Sequence, residues 1–428
     1  MASIASYLPG QRRNSQFFKR LVLSRKLQLL LGFFLIVLLP ALAIWGEAFW
    51  NMAEAAQWTT FFAITLAYWC TLSILQRLSR LPGTRGYLLS IPVTSVCFAI
   101  PFVLFHFMSI ESNETLYLAS YLLTALFSTA GYWVGQHYHE LKLAVVPFGK
   151  APSLCQIGNV EWHSLDMPSL GEARVDGVVA DLCDDLPPEW ERFLADCMLH
   201  RIPVYHATTT YEWLTGRVQL GHLYESRYGS LQPDEGYEVI KRCLDLLTVL
   251  LTLPLTLPLM VITTVAIRLE SPGSVIFTQQ RMGFQCRPFT VYKFRSMFTD
   301  QQGMDYTESN EDPRITRVGK VIRKYRVDEL PQLFNVLKGD MSLIGPRPES
   351  MDLANWYQND VPFFHYRHVV RPGISGWAQV EQGYAAEVDG MNQKLEYDFY
   401  YIKNISFWLD LLIVIRTIRT VLTGFGSR

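Results

Sequence analysis

Four apolar stretches crowd the first third of the chain, at residues 27–45, 58–75, 88–107 and 116–134. Each approaches the ~20 residues that carry a helix across a bilayer core. A chain built this way has to place that surface in lipid. Its composition agrees: 50% of the 428 residues are hydrophobic and 18% charged, below the roughly 25% charged usual for soluble domains. Trp45, Trp50, Trp58, Tyr87 and Tyr117 stand near the ends of the stretches, where interfacial aromatic belts form.

The connecting loops alternate in charge. Arg12, Arg13, Lys19, Arg20, Arg25 and Lys26 precede the first stretch, and Arg77, Arg80 and Arg85 follow the second. The loops at 46–57 and 108–115 hold no Lys or Arg and carry Glu47, Glu54, Glu111 and Glu114. Basic loops stay on the cytoplasmic side. The pattern predicts a basic cytoplasmic N-terminus over 1–26 and four transmembrane helices within 27–134, with the chain returned to the cytoplasm. Ala41-Leu42-Ala43 resembles a signal-peptidase site, but the basic region before it is long and the apolar run reaches span length.

Residues 141–228 read as a small α/β unit. Segments 143–148, 176–182 and 202–207 look like strands and 188–200 like a helix, which predicts a Rossmann-like domain. A dinucleotide site wants GxGxxG after the first strand. The run VVPFGKAPSL offers only Gly149, so the unit reads as degenerate, with a structural or regulatory task. His163, His200 and His206 read as packing or surface residues. The seven cysteines are scattered, with no CxxC pair, which argues against a disulfide framework or a zinc site and fits a reducing cytoplasm.

From Lys241 a second apolar run begins, uncharged from Leu246 to Ile267. Pro254 and Pro258 lie inside it, and each removes a backbone donor. Basic residues flank both ends, so loop charge gives no direction of crossing. A re-entrant helix–break–helix over 244–267 is predicted, with Thr252 and Thr256 helping to satisfy the freed carbonyls; a kinked full span is the alternative.

Beyond it, Arg314, Arg317, Lys320, Arg323, Lys324 and Arg326 interleave with Ile315, Val318, Val321, Ile322 and Tyr325 at helical spacing. Such a basic amphipathic helix suits an anionic membrane surface or a diphosphate. Asp328 and Glu329 follow; adjacent carboxylates on a helix point about 100° apart. A carboxylate can attack phosphorus and form an acyl phosphate while cations neutralise the phosphoryl oxygens. The C-terminal run from Ile405 holds Asp410, Arg416 and Arg419, and reads as an interfacial helix.

The segments KRCLD, SPGSVIFTQQRMG, VYKFRSM, DELPQLFNVLKGDMSLIGPRP and RPGISGWAQV together resemble the bacterial sugar transferase family, the monotopic phosphoglycosyl transferases, over residues 241–428. The first 240 residues are similar to its large subclass, the undecaprenyl-phosphate galactose or glucose phosphotransferases. The resemblance implies a membrane protein with four transmembrane helices, a degenerate Rossmann-like domain and a mainly helical catalytic domain over 237–428 with a re-entrant helix hairpin. It implies transfer of hexose-1-phosphate from a UDP-sugar to undecaprenyl phosphate with release of UMP, as the first membrane step of exopolysaccharide, capsule or O-antigen synthesis. The catalytic domain would face the cytoplasm at the bacterial inner membrane.

By the same resemblance Asp328 is the nucleophile and Mg²⁺ ligand, and Glu329 the base for the lipid phosphate. Pro258 is the helix-breaking proline and Pro254 an additional break. Arg347 in GPRP matches a phosphate-binding arginine, or anchors its loop. Lys293 and Arg295 are phosphate contacts or surface cations, and Arg323 and Arg371 are further candidates. Trp377 either stacks on a substrate ring or belongs to the core. Membrane lipid is an expected partner and nucleic acid is not; apolar surface on the spans or the α/β domain leaves room for a homodimer. The alternative function is a membrane scaffold for a polysaccharide assembly complex.

Overall fold

The computed structural model describes residues 25–46, 49, 55–79, 81–82, 86–138, 141–158, 160–171, 173–220, 233, 235–298, 312–382 and 388–423. Most of the basic N-terminal segment, Arg80, Arg85, Glu47 and Glu54 lie outside them. The described chain divides into two compact units at Gly216/Arg217.

The first unit opens with helices α1 (Arg25–Gly32) and α2 (Leu39–Trp45), joined by a π-helical turn over Phe33–Leu38. Then come α3 (Ala55–Leu78), α4 (Gly86–Phe107) and α5 (Glu114–Tyr138). Leu27–Trp45, Ala56–Leu78 and Leu89–Phe107 are long and apolar enough to cross a membrane. The fourth expected span forms as α5, but it is less apolar and falls outside that set among the described residues. Its polarity points inward: Ser120, Thr124 and Ser128 are buried. Ser120 has a specific task. Pro40 brings no N–H to the end of the π-helical turn, and Ser120 Oγ donates to Ile36 O at 3.0 Å. A carbonyl left bare in lipid would cost several kcal/mol.

The same unit continues into β1 (Leu141–Val145), β2 (Val160–Ser164), β3 (Gly177–Ala180), α6 (Pro188–Leu199), β4 (Val204–His206) and α7 (Ala207–Thr215). The strands form one parallel sheet in the order β2-β1-β3-β4. β1 and β3 carry the core residues Leu143, Ala144, Val145, Val178, Val179 and Ala180, all nearly inaccessible. The expected helix and three strands are present with shorter bounds. β2 was not anticipated: its sequence VEWHS buries no residue fully. Among the described residues only the β3–β4 crossover runs through an α-helix; a 3₁₀ turn, Ala151–Gln156, stands between β1 and β2. All seven cysteines are free.

The second unit begins with α8 (Glu235–Glu270), a single α-helix of 36 residues that contains Pro254 and Pro258. It too is long and apolar enough to cross a membrane. The expected change of secondary structure at the prolines is not present. Thr252 and Thr256 do not take the carbonyls those prolines leave free. Their hydroxyls donate instead to Thr248 and Val249, and to Thr252 and Leu253.

Both arms of α8 pack on the rest of the unit. Val249 joins Val291, Leu333, Val336 and Met341, while Met260 and Ile267 join Val275, Phe294 and Ile322; Leu330 borders both clusters. Between the arms Leu250, Leu251, Leu255, Leu257, Leu259, Val261 and Ile262 stay exposed. Near the start of the helix Lys241 pairs with Asp410 at 2.7 Å. Tyr237 and Tyr401 also donate to Asp410.

A hairpin follows, β5 (Ile276–Met282) against β6 (Pro288–Phe294), antiparallel. Next are α9 (Arg317–Lys324), a 3₁₀ turn over Val327–Glu329, α10 (Gln332–Lys338), β7 (Ser342–Ile344), α11 (Met351–Asp360), β8 (Gly373–Ser375), α12 (Trp377–Glu381), α13 (Val388–Lys403) and α14 (Phe407–Thr423). Asn335 ties α10 to β6: its Nδ2 donates to Thr290 O at 2.7 Å and its Oδ1 accepts from Tyr292 N. β7 and β8 pair in parallel so closely that a Cβ on Gly373 would sit 2.1 Å from Gly345 N. The glycines of GPRP and RPGISGW thus permit two backbones to touch. Asp410, in α14, is a buried partner of Lys241 rather than a charge at the surface. Trp377 is core, with the Arg416 guanidinium 4.9 Å from its ring centroid.

Candidate active site

Thr316 caps α9 by accepting from Gly319 N, and Glu270, at the end of α8, accepts from Arg317 N and Val318 N. α9 stops at Lys324, and Arg326 takes a left-handed conformation, φ 56°. That reversal throws Asp328 and Glu329 into a 3₁₀ turn, where the sequence predicted an α-helix. Leu330 and Leu333 then anchor the following segment in the core.

Glu329 is buried, and its Oε1 faces three cations: Arg347 Nη2 at 2.8 Å, Lys293 Nζ at 3.4 Å and Arg326 Nη1 at 3.6 Å. Burial alone would raise its pKa; Arg347, Lys293 and Arg326 outweigh burial and hold the carboxyl well below the usual range. Asp328 is the opposite case. Burial, then the neighbouring Glu329 charge, push it above the ordinary carboxylate range against the pull of the same cations. Its Oδ1 is shut off from solvent and has no hydrogen-bond partner among the described residues. A buried acceptor without a partner costs about 1–3 kcal/mol, so this oxygen is poised for a ligand. Lys293 is lowered to about 8, first by burial and then by Arg347 and Arg281, with Glu329 opposing.

Of the predicted phosphate-binding residues, Arg347, Lys293 and Arg323 gather here. Burial lowers the Arg323 guanidinium while the Asp328 charge acts against that effect. Arg295 does something else: it donates to Ser271 O, Ser271 Oγ and Pro272 O, fastening the end of α8 to β6. Arg371 donates to Gly339 O and lies over the Phe284 ring. Both make structural contacts, and neither has an ion pair with Glu329 among the described residues.

Sequence reasoning missed Arg326 as a site residue, and it missed the support behind Arg347. Arg281 donates to Pro348 O. Arg367 donates to Arg347 O at 2.9 Å and pairs with Glu349 and with Asp398. Lys394 also pairs with Glu349. Glu349, Arg367, Lys394 and Asp398 are buried. Burial opposes the ionisation of Glu349, yet Lys394 and Arg367 hold it ionised, at about 2. Arg367 was readable only as one more cation, because its partners lie 18 and 31 positions away in sequence.

The arrangement suits an anion with several charges. Four guanidinium or ammonium groups converge on a carboxylate pair, and one carboxylate oxygen has no hydrogen-bond partner among the described residues. Arginine forks suit phosphate oxygens, and an unpaired carboxylate can attack phosphorus or take a hard cation.

Comparison with known proteins agrees with this chemistry. The family model for bacterial sugar transferases matches residues 236–424. A UDP-N-acetylgalactosamine-undecaprenyl-phosphate N-acetylgalactosaminephosphotransferase of Aeromonas hydrophila is 48% identical over 421 residues, which cover 98% of this chain and 99% of that protein. A UDP-glucose:undecaprenyl-phosphate glucose-1-phosphate transferase of Caulobacter vibrioides is 40% identical over 200 residues, 46% of this chain and 75% of that protein. An undecaprenyl-phosphate glucose phosphotransferase of Komagataeibacter xylinus is 43% identical over 186 residues, 42% of this chain and 35% of that protein. With one relative aligned from end to end and the family model lying over the cation-ringed dyad, the chain belongs to the bacterial sugar transferase family.

Proposed function

We propose that the protein transfers a sugar-1-phosphate from a UDP-sugar to undecaprenyl phosphate, releasing UMP, through a covalent intermediate on Asp328. The observation that carries this reading is the buried, unpartnered Oδ1 of Asp328 inside the ring of Lys293, Arg323, Arg326 and Arg347. A carboxylate oxygen of Asp328 attacks the β-phosphorus of the donor. The bond from that phosphorus to the bridging oxygen breaks, and UMP leaves with the electron pair. A phosphate oxygen of the lipid then attacks the same phosphorus. The acyl phosphate bond breaks and the carboxylate is regenerated. Each substrate meets the site in turn, which suits one that is water-soluble and one that is lipid.

The surroundings of Glu329 support a task other than that of a base. A carboxylate held so far below its usual range is a weak proton acceptor near neutral pH. It holds Arg347, Lys293 and Arg326 together, aimed where the phosphoryl charge develops. Hard oxygen donors and the open Oδ1 of Asp328 fit Mg²⁺, which Asp328 would hold with the donor diphosphate. When bound, that ion neutralises charge on the transferring phosphoryl group.

The exposed middle of α8 supports entry of this helix into a bilayer. A straight helix of 36 residues would be about 54 Å long, yet its two arms pack against one catalytic module. This favours a helix that enters and leaves by the same face. We place the module on the cytoplasmic side of the bacterial inner membrane, on the alternation of loop charge. The full-length match to the Aeromonas protein moves the preferred sugar from an unacetylated hexose to N-acetylgalactosamine. The product would start an exopolysaccharide, capsule or O-antigen chain.

The test is nucleotide release by the full chain in nanodiscs with undecaprenyl phosphate, Mg²⁺ and a panel of UDP-sugars. UMP is expected with UDP-N-acetylgalactosamine, and none from Asp328→Asn. Release of UDP would identify a glycosyltransferase instead. No nucleotide from any donor would favour a scaffold.

A further inference from the structure

The parallel sheet of the middle domain changes direction of winding between β1 and β3. In open α/β sheets, ligands bind beyond the carboxyl ends of the strands at such a point. Here the dinucleotide glycines are missing, but other chemistry is present. Asp181 directly follows β3, Cys183 lies two residues on, and His206 is the last residue of β4. One ligand atom from each lies within 4.8 Å of the others. Cys183 Sγ is 3.7 Å from His206 Nε2, and His206 Nδ1 is 3.8 Å from Asp181 Oδ1.

We propose that Asp181, Cys183 and His206 form a binding site for a divalent metal of the zinc class. Tetrahedral zinc holds sulfur and nitrogen ligands about 3.6 Å apart, given bonds of about 2.3 and 2.05 Å, close to the spacing found. Sulfur, nitrogen and oxygen in one set select zinc over magnesium or calcium. A thiolate and a carboxylate bring two negative charges for the dication to neutralise. Asp181 is buried and pre-oriented: its Oδ2 accepts from Lys150 N at 3.1 Å and its Oδ1 from Cys183 N.

The loop after β1 is shaped around these carboxylates. Gly149 takes φ +58°, and a Cβ there would fall within 2.8 Å of both Asp181 Oδ2 and Asp184 Oδ2. Three protein ligands leave the fourth position of a tetrahedral ion to water. The metal-free state has its own bond at this ring: His206 Nδ1 accepts from Leu182 N at 3.2 Å. Loading at Nε2, the nitrogen 3.7 Å from Cys183 Sγ, would move the ring proton to Nδ1 and break that bond, and the Cys183 thiol would lose its proton to solvent. The exposed Cys183 gives the ion its path in. Once bound, it would clamp the loop after β3 to the start of α7.

The test uses the full chain, stripped with a chelator under reducing conditions and titrated with Zn²⁺ against a chromophoric competitor. A parallel titration with Co²⁺ follows the near-ultraviolet band of a thiolate–cobalt bond. One equivalent per chain is expected. Cys183→Ser should abolish the band, and both it and His206→Gln should weaken Zn²⁺ binding at least tenfold with the thermal transition retained. Cys155→Ser removes another exposed thiol of the domain and should change neither readout. No stoichiometric binding by the wild type, or a band that survives Cys183→Ser, overturns the proposal. Neither readout depends on sugar transfer, so the outcome is independent of the reaction proposed above.

Discussion

Glu329→Gln separates a clamp from a base. The substitution keeps the shape of the side chain and one acceptor, but removes the charge that faces Arg347 at 2.8 Å, Lys293 at 3.4 Å and Arg326 at 3.6 Å. A hydrogen bond to a charged group contributes about 1.5–3 kcal/mol, and losing a buried pair outright costs about 3–5 kcal/mol. Glutamine retains part of the Arg347 contact, so about 2–3 kcal/mol is the working figure. If the clamp positions cations for both chemical steps, that is about 30- to 150-fold in each. The two steps can be read apart. UMP release without lipid, in a single turnover, reports formation of the Asp328 adduct. Chasing the labelled adduct with undecaprenyl phosphate reports the second transfer. The clamp predicts comparable losses in both. Wild-type labelling with a lipid step slowed more than a hundredfold would refute it and restore Glu329 as the base.

Three further outcomes follow from particular contacts. Burial brings Lys293 down to about 8, so its charge is present below that pH and lost above it; the KM for the UDP-sugar should rise as pH passes 8, and Lys293→Arg should remove that rise. Arg295→Ala should lower the thermal transition, by about 1–3 kcal/mol of stability, while leaving the KM for the donor unchanged, because its partners are Ser271 and Pro272; a selective rise in that KM would return it to the phosphate site. Ser120→Ala removes the hydroxyl that donates to Ile36 O and should destabilise the helical bundle by about 0.6, at most about 1.7, kcal/mol, measured by unfolding in mixed micelles.

What the sequence disclosed divides along physical lines. Apolar length is a local property, so the first three spans, the α5 helix and the apolar run of α8 were readable directly. The dyad was readable because two carboxylates stood inside a dense run of cations. Its local conformation was not: the left-handed turn at Arg326 uses neither glycine nor asparagine, the residues that usually announce one. Arg295 looks like a second Lys293, and its bonds to Ser271 and Pro272 were not legible. It lies one residue past the end of β6, where strand alternation no longer fixes what a side chain meets. β2 escaped notice because its residues are partly exposed and polar. The pairing of Cys183 with His206 spans 23 positions and arises only when β3 and β4 align. The buried support of Arg347 joins Glu349 and Arg367 to Lys394 and Asp398 of α13, and the sequence spacing between these segments carries no trace of it.

The bond from Ser120 to the Ile36 carbonyl also fixes an order of assembly. The Ile36 carbonyl cannot make this contact while the first apolar segment stands alone in the bilayer. Its partner lies 84 residues further along, in α5, with α3 and α4 between them. The first helix therefore reaches its final state only after the last of this group has been inserted. A chain halted after α4 would hold three helices of adequate length and still be incomplete, because the closing contact of the bundle is made by its least apolar member.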